Sequence, residues 1–195
     1  MGPHQSVGSH AASQPSGLLT DWKKPPAMGV SSKPSFTWVV APDASAAASN
    51  TPVLQAAYLI SVTAESTGAM VWNSSKVASN QSVAVAYGGP ALTPGAAYSW
   101  TVTTWLNTAR SSPSTPSAPA SFVVALDTAA WGSAAYVGTG DKSTFVFLRA
   151  VPSLPSSATK VRRATASITA YGTDTMLCSY KLFLNGVAVG AGPGR

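Results

Sequence analysis

The side chains that could carry out acid–base, nucleophilic or metal chemistry are few in this chain of 195 residues. General acid–base catalysis needs a positioned pair of titratable groups, and no two carboxylates of the chain form a pair at a spacing that supports such a role. These acids are Asp21, Asp43, Glu65, Asp127, Asp141 and Asp174. We interpret each as a turn or capping residue, because short acidic side chains bond to nearby backbone amides. The sequence therefore predicts no catalytic residue.

The sequence also lacks the motifs that indicate nucleophilic or cofactor-dependent chemistry. Cys178 lies in an apolar stretch, and the only histidines, His4 and His10, stand near the N-terminus, so we interpret the cysteine as a buried thiol. A single cysteine also excludes an internal disulfide and argues against a structural zinc site. The sequence contains no Gly-rich phosphate loop and no Ser-His-Asp set. We expect no cofactor and no metal.

The charge of the chain is positive but dispersed. Twelve basic residues stand against six acids, for a formal net charge of +6, and a nucleic-acid binder would concentrate them on one face. No stretch approaches the ~20 apolar residues of a membrane span, and residues 1–16 lack the apolar core of a signal peptide. We expect no nucleic-acid or membrane partner. The predicted location is cytoplasmic for the chain as given, or secreted if its N-terminus is incomplete.

The elements that must position any site are predicted to be strands. Residues 1–34 are rich in Ser, Gly and Pro and predict a disordered leader. From there, short apolar runs separated by turn signals predict an all-β sandwich over residues 35–126. The predicted strands cover residues 36–40, 56–63, 70–72, 82–87, 98–105 and 121–126. Alternation places Tyr58, Ile60 and Val62 on one face, and Val83 with Val85 likewise.

One tyrosine has a diagnostic position. A Pro94-Gly95 turn leads into the strand that contains Tyr98. This spacing is typical of the tyrosine corner of immunoglobulin-like and fibronectin type III-like sandwiches, in which the hydroxyl bonds back to the preceding loop. An ordinary strand tyrosine is the alternative.

The C-terminal part predicts a second domain that is incomplete. Residues 127–140 form a predicted linker, and residues 141–195 contain predicted strands at 144–150, 161–171 and 176–184. Asn185-Gly186 is a strong hairpin signal, since both turn positions want a positive φ. Three or four strands cannot close a two-layer sandwich, so we expect this domain to be truncated.

Several segments resemble, in order, the opening part of bacterial-type α-L-rhamnosidases. In the first domain they are residues 34–38, 55–60, 71–82 and 87–105, and in the second they are residues 169–172 and 182–190. Asn73 departs from the family, which usually has an aspartate there. Each motif is common by itself, whereas their succession across two domains is specific.

The resemblance implies a fibronectin type III-like domain, an incomplete jelly-roll-like second sandwich, and a catalytic (α/α) barrel that this chain lacks. The expected function is a non-catalytic accessory or scaffold region of a glycoside hydrolase that acts on terminal α-L-rhamnosides. Its expected partners are the missing C-terminal catalytic domain and rhamnose-containing glycans. A stand-alone carbohydrate-binding module and a fibronectin-like protein-interaction module are the alternatives.

Aromatic side chains are the candidate sugar contacts, because sugars stack on exposed rings. Trp105, Trp131 and Tyr136 are the candidates, since they lie at a strand end or in the linker. Packing between domains is the other interpretation of Trp131. The remaining strand tryptophans, Trp38, Trp72 and Trp100, are expected in the core.

Overall fold

The computed structural model describes residues 13–40, 54–107, 112–132, 134–135, 147–151, 153, 163–169 and 179–192. The chain divides into two compact units, Met1–Ala134 and Ala135–Arg195. Within the described ranges the regular elements are all strands, which confirms the predicted all-β class. The predicted linker 127–140 and second domain 141–195 remain predictions.

Nine strands form the described part of the first unit. They are β1 (Ser16–Thr20), β2 (Ala27–Val30), β3 (Ser35–Val39), β4 (Gln55–Ala64), β5 (Met70–Asn73), β6 (Val77–Ala78), β7 (Val85–Ala86), β8 (Ala97–Leu106) and β9 (Ala120–Val124). One sheet has the order β1-β3-β7, and the other has the order β2-β9-β8-β4-β5, with β6 also paired to β4. The β2–β9 pair is parallel, and the other pairs are antiparallel.

The two sheets enclose an aromatic core. Alternating residues of the long central strands β4 and β8 are buried, as expected for a sheet with one face on the core. Phe36 of β3 lies with its ring centroid 4.5 Å from that of Trp100 on β8 and 6.2 Å from that of Phe122 on β9. Trp38 is also buried, and Trp72 packs against the cluster. These contacts join side chains of both sheets, so the unit is a β-sandwich.

The prediction of a disordered leader is wrong for residues 13–34, which contain β1 and β2. These strands bury Leu18, Thr20 and Val30. Both are short, and each contains a glycine with a positive φ, Gly17 at 61° and Gly29 at 63°. Such glycines interrupt the alternation of apolar and polar residues by which strands are predicted.

The predicted strand 82–87 is shorter than expected. Only Val85–Ala86 forms a strand, and the side chain of Val83 is 50% exposed whereas that of Val85 is 4% exposed. Ala84 adopts a φ of 50°, which lies outside the extended region. The shared face predicted for the two valines is therefore wrong.

The described strands of the second unit form one hairpin, β10 (Tyr180–Leu184) with β11 (Val187–Gly192). Asn185 and Gly186 connect them with φ values of 49° and 81°, both positive as a type I′ turn requires. Residues 147–150 and 163–169, the described parts of two other predicted strands, lie outside strands and are exposed. Alternation in sequence does not by itself supply a hydrogen-bonding partner strand.

Candidate binding surface

The carboxylates whose contacts are described stabilise turns. Asp21 accepts hydrogen bonds from the backbone N–H groups of Ser31 and Ser35, each at 2.8 Å. Asp127 accepts one from the N–H of Ala130 at 2.7 Å. These two acids have the capping role that the sequence predicts. Asp43, Asp141 and Asp174 lie outside the described residues.

In the described ranges, no group of three or more His, Cys, Asp and Glu side chains could hold a metal ion. Cys178 and both histidines lie outside those ranges. The described residues also include no helix that is long and apolar enough to cross a membrane.

Tyr98 connects the loop before β8 to the core. Its hydroxyl oxygen accepts a hydrogen bond from the N–H of Thr93 at 3.1 Å, and its ring stacks on Phe122 at 5.6 Å between centroids. Gly95 forms the turn in between, with a φ of 75°. A hydroxyl that bonds back to the preceding loop is the arrangement of a tyrosine corner.

Trp105 lies near the end of β8, on the outward face of the six-stranded sheet. It is half-buried and pairs across the strands with Ala57 of β4. The exposed Lys76 holds its Nζ atom 4.4 Å from the ring centroid, which is within cation–π range. The indole is thus partly accessible at the surface and lies beside a positive charge.

Trp131 belongs to the turn that follows β9. Its side chain is half-buried. Its backbone N–H donates a hydrogen bond to the carbonyl of Asp127 at 3.3 Å, and its backbone carbonyl accepts one from the N–H of Ala134 at 3.0 Å. Strand β9 ends beside the start of β8, about 27 Å along the strand from Trp105. The turn therefore begins at the other end of β8. Tyr136, the third candidate, lies outside the described residues.

Trp22 is an exposed aromatic residue that sequence reasoning misses. Its side chain is 63% exposed, more than that of Trp105 or Trp131. It occupies a two-residue turn between Thr20 and Lys23, in which Asp21 has a φ of 47° and Trp22 a φ of 64°. The sequence does not indicate this site, because Trp22 lies in the segment predicted to be a disordered leader. A tryptophan also does not predict a turn residue with a positive φ.

Hydroxyl groups cover much of the outward face of the six-stranded sheet. We call this set the hydroxyl face. Its members are half-buried, stand on β4, β8 and β9, and alternate with core residues: Ser61, Thr63, Ser99, Thr101, Thr103 and Ser121. Asn73 of β5 joins them, because its side-chain amide donates to the hydroxyl of Ser61 at 3.1 Å. Trp105 lies at one end of this face.

The arrangement defines a class of protein. Two sheets packed around an aromatic core, with a tyrosine bonded back to the loop before a long central strand, form an immunoglobulin-like β-sandwich. The model of the family described as Rha78A-like, N-terminal immunoglobulin domain matches residues 15–128, more than half of the chain. The chain belongs to this family. The match includes β1 and β2, so these strands are part of the family's domain.

Solved α-L-rhamnosidases are similar to part of this chain. The enzyme of Streptomyces avermitilis, in complex with L-rhamnose, is 28% identical with a TM-score of 0.50, over 61% of this chain and 11% of its own. The enzyme of Dictyoglumus thermophilum is 24% identical with a TM-score of 0.49, over 60% of this chain and 13% of its own. The enzyme of Aspergillus terreus is 17% identical with a TM-score of 0.50, over 62% of this chain and 13% of its own.

The family match over residues 15–128 confirms the resemblance of the first domain to the rhamnosidase N-terminal region. The chain spans only 11–13% of the length of the three enzymes. The comparison with curated proteins gives no match.

Proposed function

We propose that this chain is the non-catalytic N-terminal accessory region of an α-L-rhamnosidase-like glycoside hydrolase, and that the catalytic domain is another part of the parent protein. The observation that carries the proposal is the family match over residues 15–128, which coincides with the β-sandwich. The parent enzyme would hydrolyse terminal α-L-rhamnosides.

The residues of the sandwich support an accessory role. Glycoside hydrolysis requires two carboxylates on either side of the scissile bond. Asp21 instead accepts hydrogen bonds from the backbone N–H groups of Ser31 and Ser35, and Asp127 accepts one from the backbone N–H of Ala130 in its own turn. Carboxylates committed to turns in this way stabilise the fold and are not positioned for proton transfer to a substrate.

Two measurements test this proposal. The purified full chain, incubated with a chromogenic aryl α-L-rhamnoside, should release no more product than a buffer blank. The source transcript, read in frame past residue 195, should continue through further strands into a helix-patterned segment with paired acids. Steady hydrolysis that stays with the chain through purification would contradict the accessory role, and a transcript without a catalytic segment would contradict the parent enzyme.

A further inference from the structure

We propose that the hydroxyl face, together with Trp105, is a binding site for a neutral glycan. Rhamnose-containing glycans are the first candidates, and only that choice of sugar rests on the proposed function. The site would hold saccharide for the parent enzyme without taking part in its chemistry.

The first observation is the register of the hydroxyls across the strands. Ser121, Ser99 and Thr63 form one row over three neighbouring strands. Adjacent strands lie about 4.8 Å apart, and successive outward residues of one strand about 6.8 Å apart. The face is therefore a regular two-dimensional array of hydrogen-bonding groups.

The second row repeats this arrangement. Thr101 of β8 pairs with Ser61 of β4, which pairs with Asn73 of β5. Thr103 follows two residues further along β8, opposite Leu59 of β4, and Trp105 two residues beyond it, opposite Ala57. A saccharide chain presents hydroxyls along its length, so it could exchange hydrogen bonds with the two rows and with Thr103 and end on the aromatic ring.

The second observation is that the strands of this sheet carry no charged side chain, and that the one charge beside the site is the Lys76 ammonium over Trp105. None of the strands β2, β4, β5, β6, β8 and β9 contains Asp, Glu, Lys, Arg or His. An anionic ligand such as nucleic acid would need basic side chains on this face. A hydroxyl both donates and accepts hydrogen bonds, which suits a ligand whose polar groups are themselves neutral hydroxyls.

The composition also favours a sugar over a protein surface. Protein–protein interfaces are depleted in serine and enriched in Tyr, Trp, Phe, Met and Arg relative to other surface, and Trp105 is the one aromatic residue that the proposed site contributes. The hydroxyl face instead contains Ser61, Ser99 and Ser121 in one sheet. A single large aromatic beside such polar groups is the composition of a stacking platform with hydrogen-bonding neighbours.

Lys76 does not prevent a sugar from stacking on the ring of Trp105. Its ammonium lies over the Trp105 ring but is exposed to solvent, and exposed cation–π contacts are weak. A sugar ring that stacks on the indole would displace the ammonium, which could then donate a hydrogen bond to the ligand.

Trp22 supplies a matched control, because it is an exposed tryptophan without such neighbours. The polar groups beside it are already engaged in hydrogen bonds to residues between positions 28 and 35. The carboxylate of Asp21 is bonded to Ser31 and Ser35, and the Nζ of Lys23 donates to the carbonyls of Met28 and Gly29 at 2.8 and 2.7 Å.

The experiment is a titration of the full chain, followed by calorimetry and by amide chemical shifts, with L-rhamnose, a neutral rhamnose oligosaccharide and cellohexaose. Trp105→Ala should weaken binding about tenfold or more, since stacking on the ring is lost. Thr101→Val keeps the side-chain shape and should weaken binding about two- to tenfold, since one hydrogen bond is lost. The two control variants are Trp22→Ala and Thr128→Val, the second at an exposed threonine outside the hydroxyl face. Both should bind the sugars as the wild type does.

The outcomes separate the possibilities. Binding of any of the three sugars that is weakened by Trp105→Ala and not by Trp22→Ala supports the site, and cellohexaose without rhamnose would reassign its sugar class. Binding to none of them, or equal loss in the control variants, overturns the proposal. Protection of hydroxyl-face amides by the parent's other domains, without sugar binding, would overturn it in favour of a domain interface. None of these results changes the hydrolysis and transcript tests of the proposed function.

Discussion

The hydrogen bond between Trp100 and Thr20 offers a direct test of the N-terminal strands. The indole N–H of Trp100 donates to the hydroxyl of Thr20 at 2.9 Å, across 80 residues of sequence. Both side chains are 1% exposed. Thr20→Val replaces the hydroxyl with a methyl group of similar size, so the packing is largely kept while a buried donor loses its acceptor.

The expected cost can be worked out from this geometry. A buried polar group left without its partner costs about 1–3 kcal/mol, and the apolar methyl recovers part of this loss. We expect Thr20→Val to lower the free energy of unfolding by about 1–2 kcal/mol. Thr20→Ser keeps the acceptor and removes one methyl, so it should cost about 1 kcal/mol. In a Trp100→Phe background the donor is absent, and Thr20→Val should then cost almost nothing.

Urea unfolding followed by tryptophan fluorescence provides the assay. All six tryptophans lie between residues 22 and 131, so the signal reports the first unit alone. A loss of this size should move the midpoint by roughly 0.5–1 M urea. If Thr20→Val costs the same with and without Trp100, or nothing in either background, the bond does not couple β1 to the core and the reasoning fails.

Further expectations concern Trp22, Tyr98 and Tyr87, whose ring packs against those of Phe36 and Trp72 in the core. Trp22→Gly should stabilise the first unit by about 1 kcal/mol, because glycine suits the positive φ of the turn, and an unchanged urea midpoint would contradict strain there. Tyr98→Phe should cost about 1 kcal/mol through its lost hydrogen bond. Tyr87→Phe should cost nothing, because the Tyr87 hydroxyl is buried and, among the described residues, has no hydrogen-bond partner; the reverse order of the two midpoints would refute this. Burial, and secondly the charge of Tyr98, raises the pKa of Tyr87 above its ordinary 10.0. The folded state therefore retains this proton more tightly, and the resulting stability is present below about pH 10 and lost as the pH rises through the folded pKa. Urea midpoints at pH 8–11 should fall less for Tyr87→Phe than for the wild type, and parallel curves would exclude this contribution.

The central strands could be predicted because their own residues alternate. The ten residues of β4 and of β8 each have one face on the core, and period two in sequence reports this directly. The Pro94-Gly95 turn before Tyr98 is likewise a local signal. Trp38 and Trp100 could be assigned to the core because each stands within a predicted strand.

The N-terminal strands could not be predicted by the same means. β2 has four residues with a glycine at φ 63°, and its partner β9 lies near the other end of the domain's sequence. Pairing between distant segments is not encoded in either segment alone. The same limit applies to the candidate site: Trp105 was accessible to prediction from its place at a strand end, but the rows of the hydroxyl face depend on cross-strand register, which only the structure provides.

The parallel pairing of β2 with β9 has a consequence for synthesis of the protein. Ala27 pairs with Phe122, so a ribosome that has made β2 must still make almost the whole domain before this strand finds its partner. Contacts between distant segments also slow folding, since the chain between them must be ordered first. Until residue 124 has left the exit tunnel, the nascent chain carries an unpaired, uncharged strand and an open aromatic core. Such intermediates are prone to aggregate, and this stage of translation is where a chaperone would be needed.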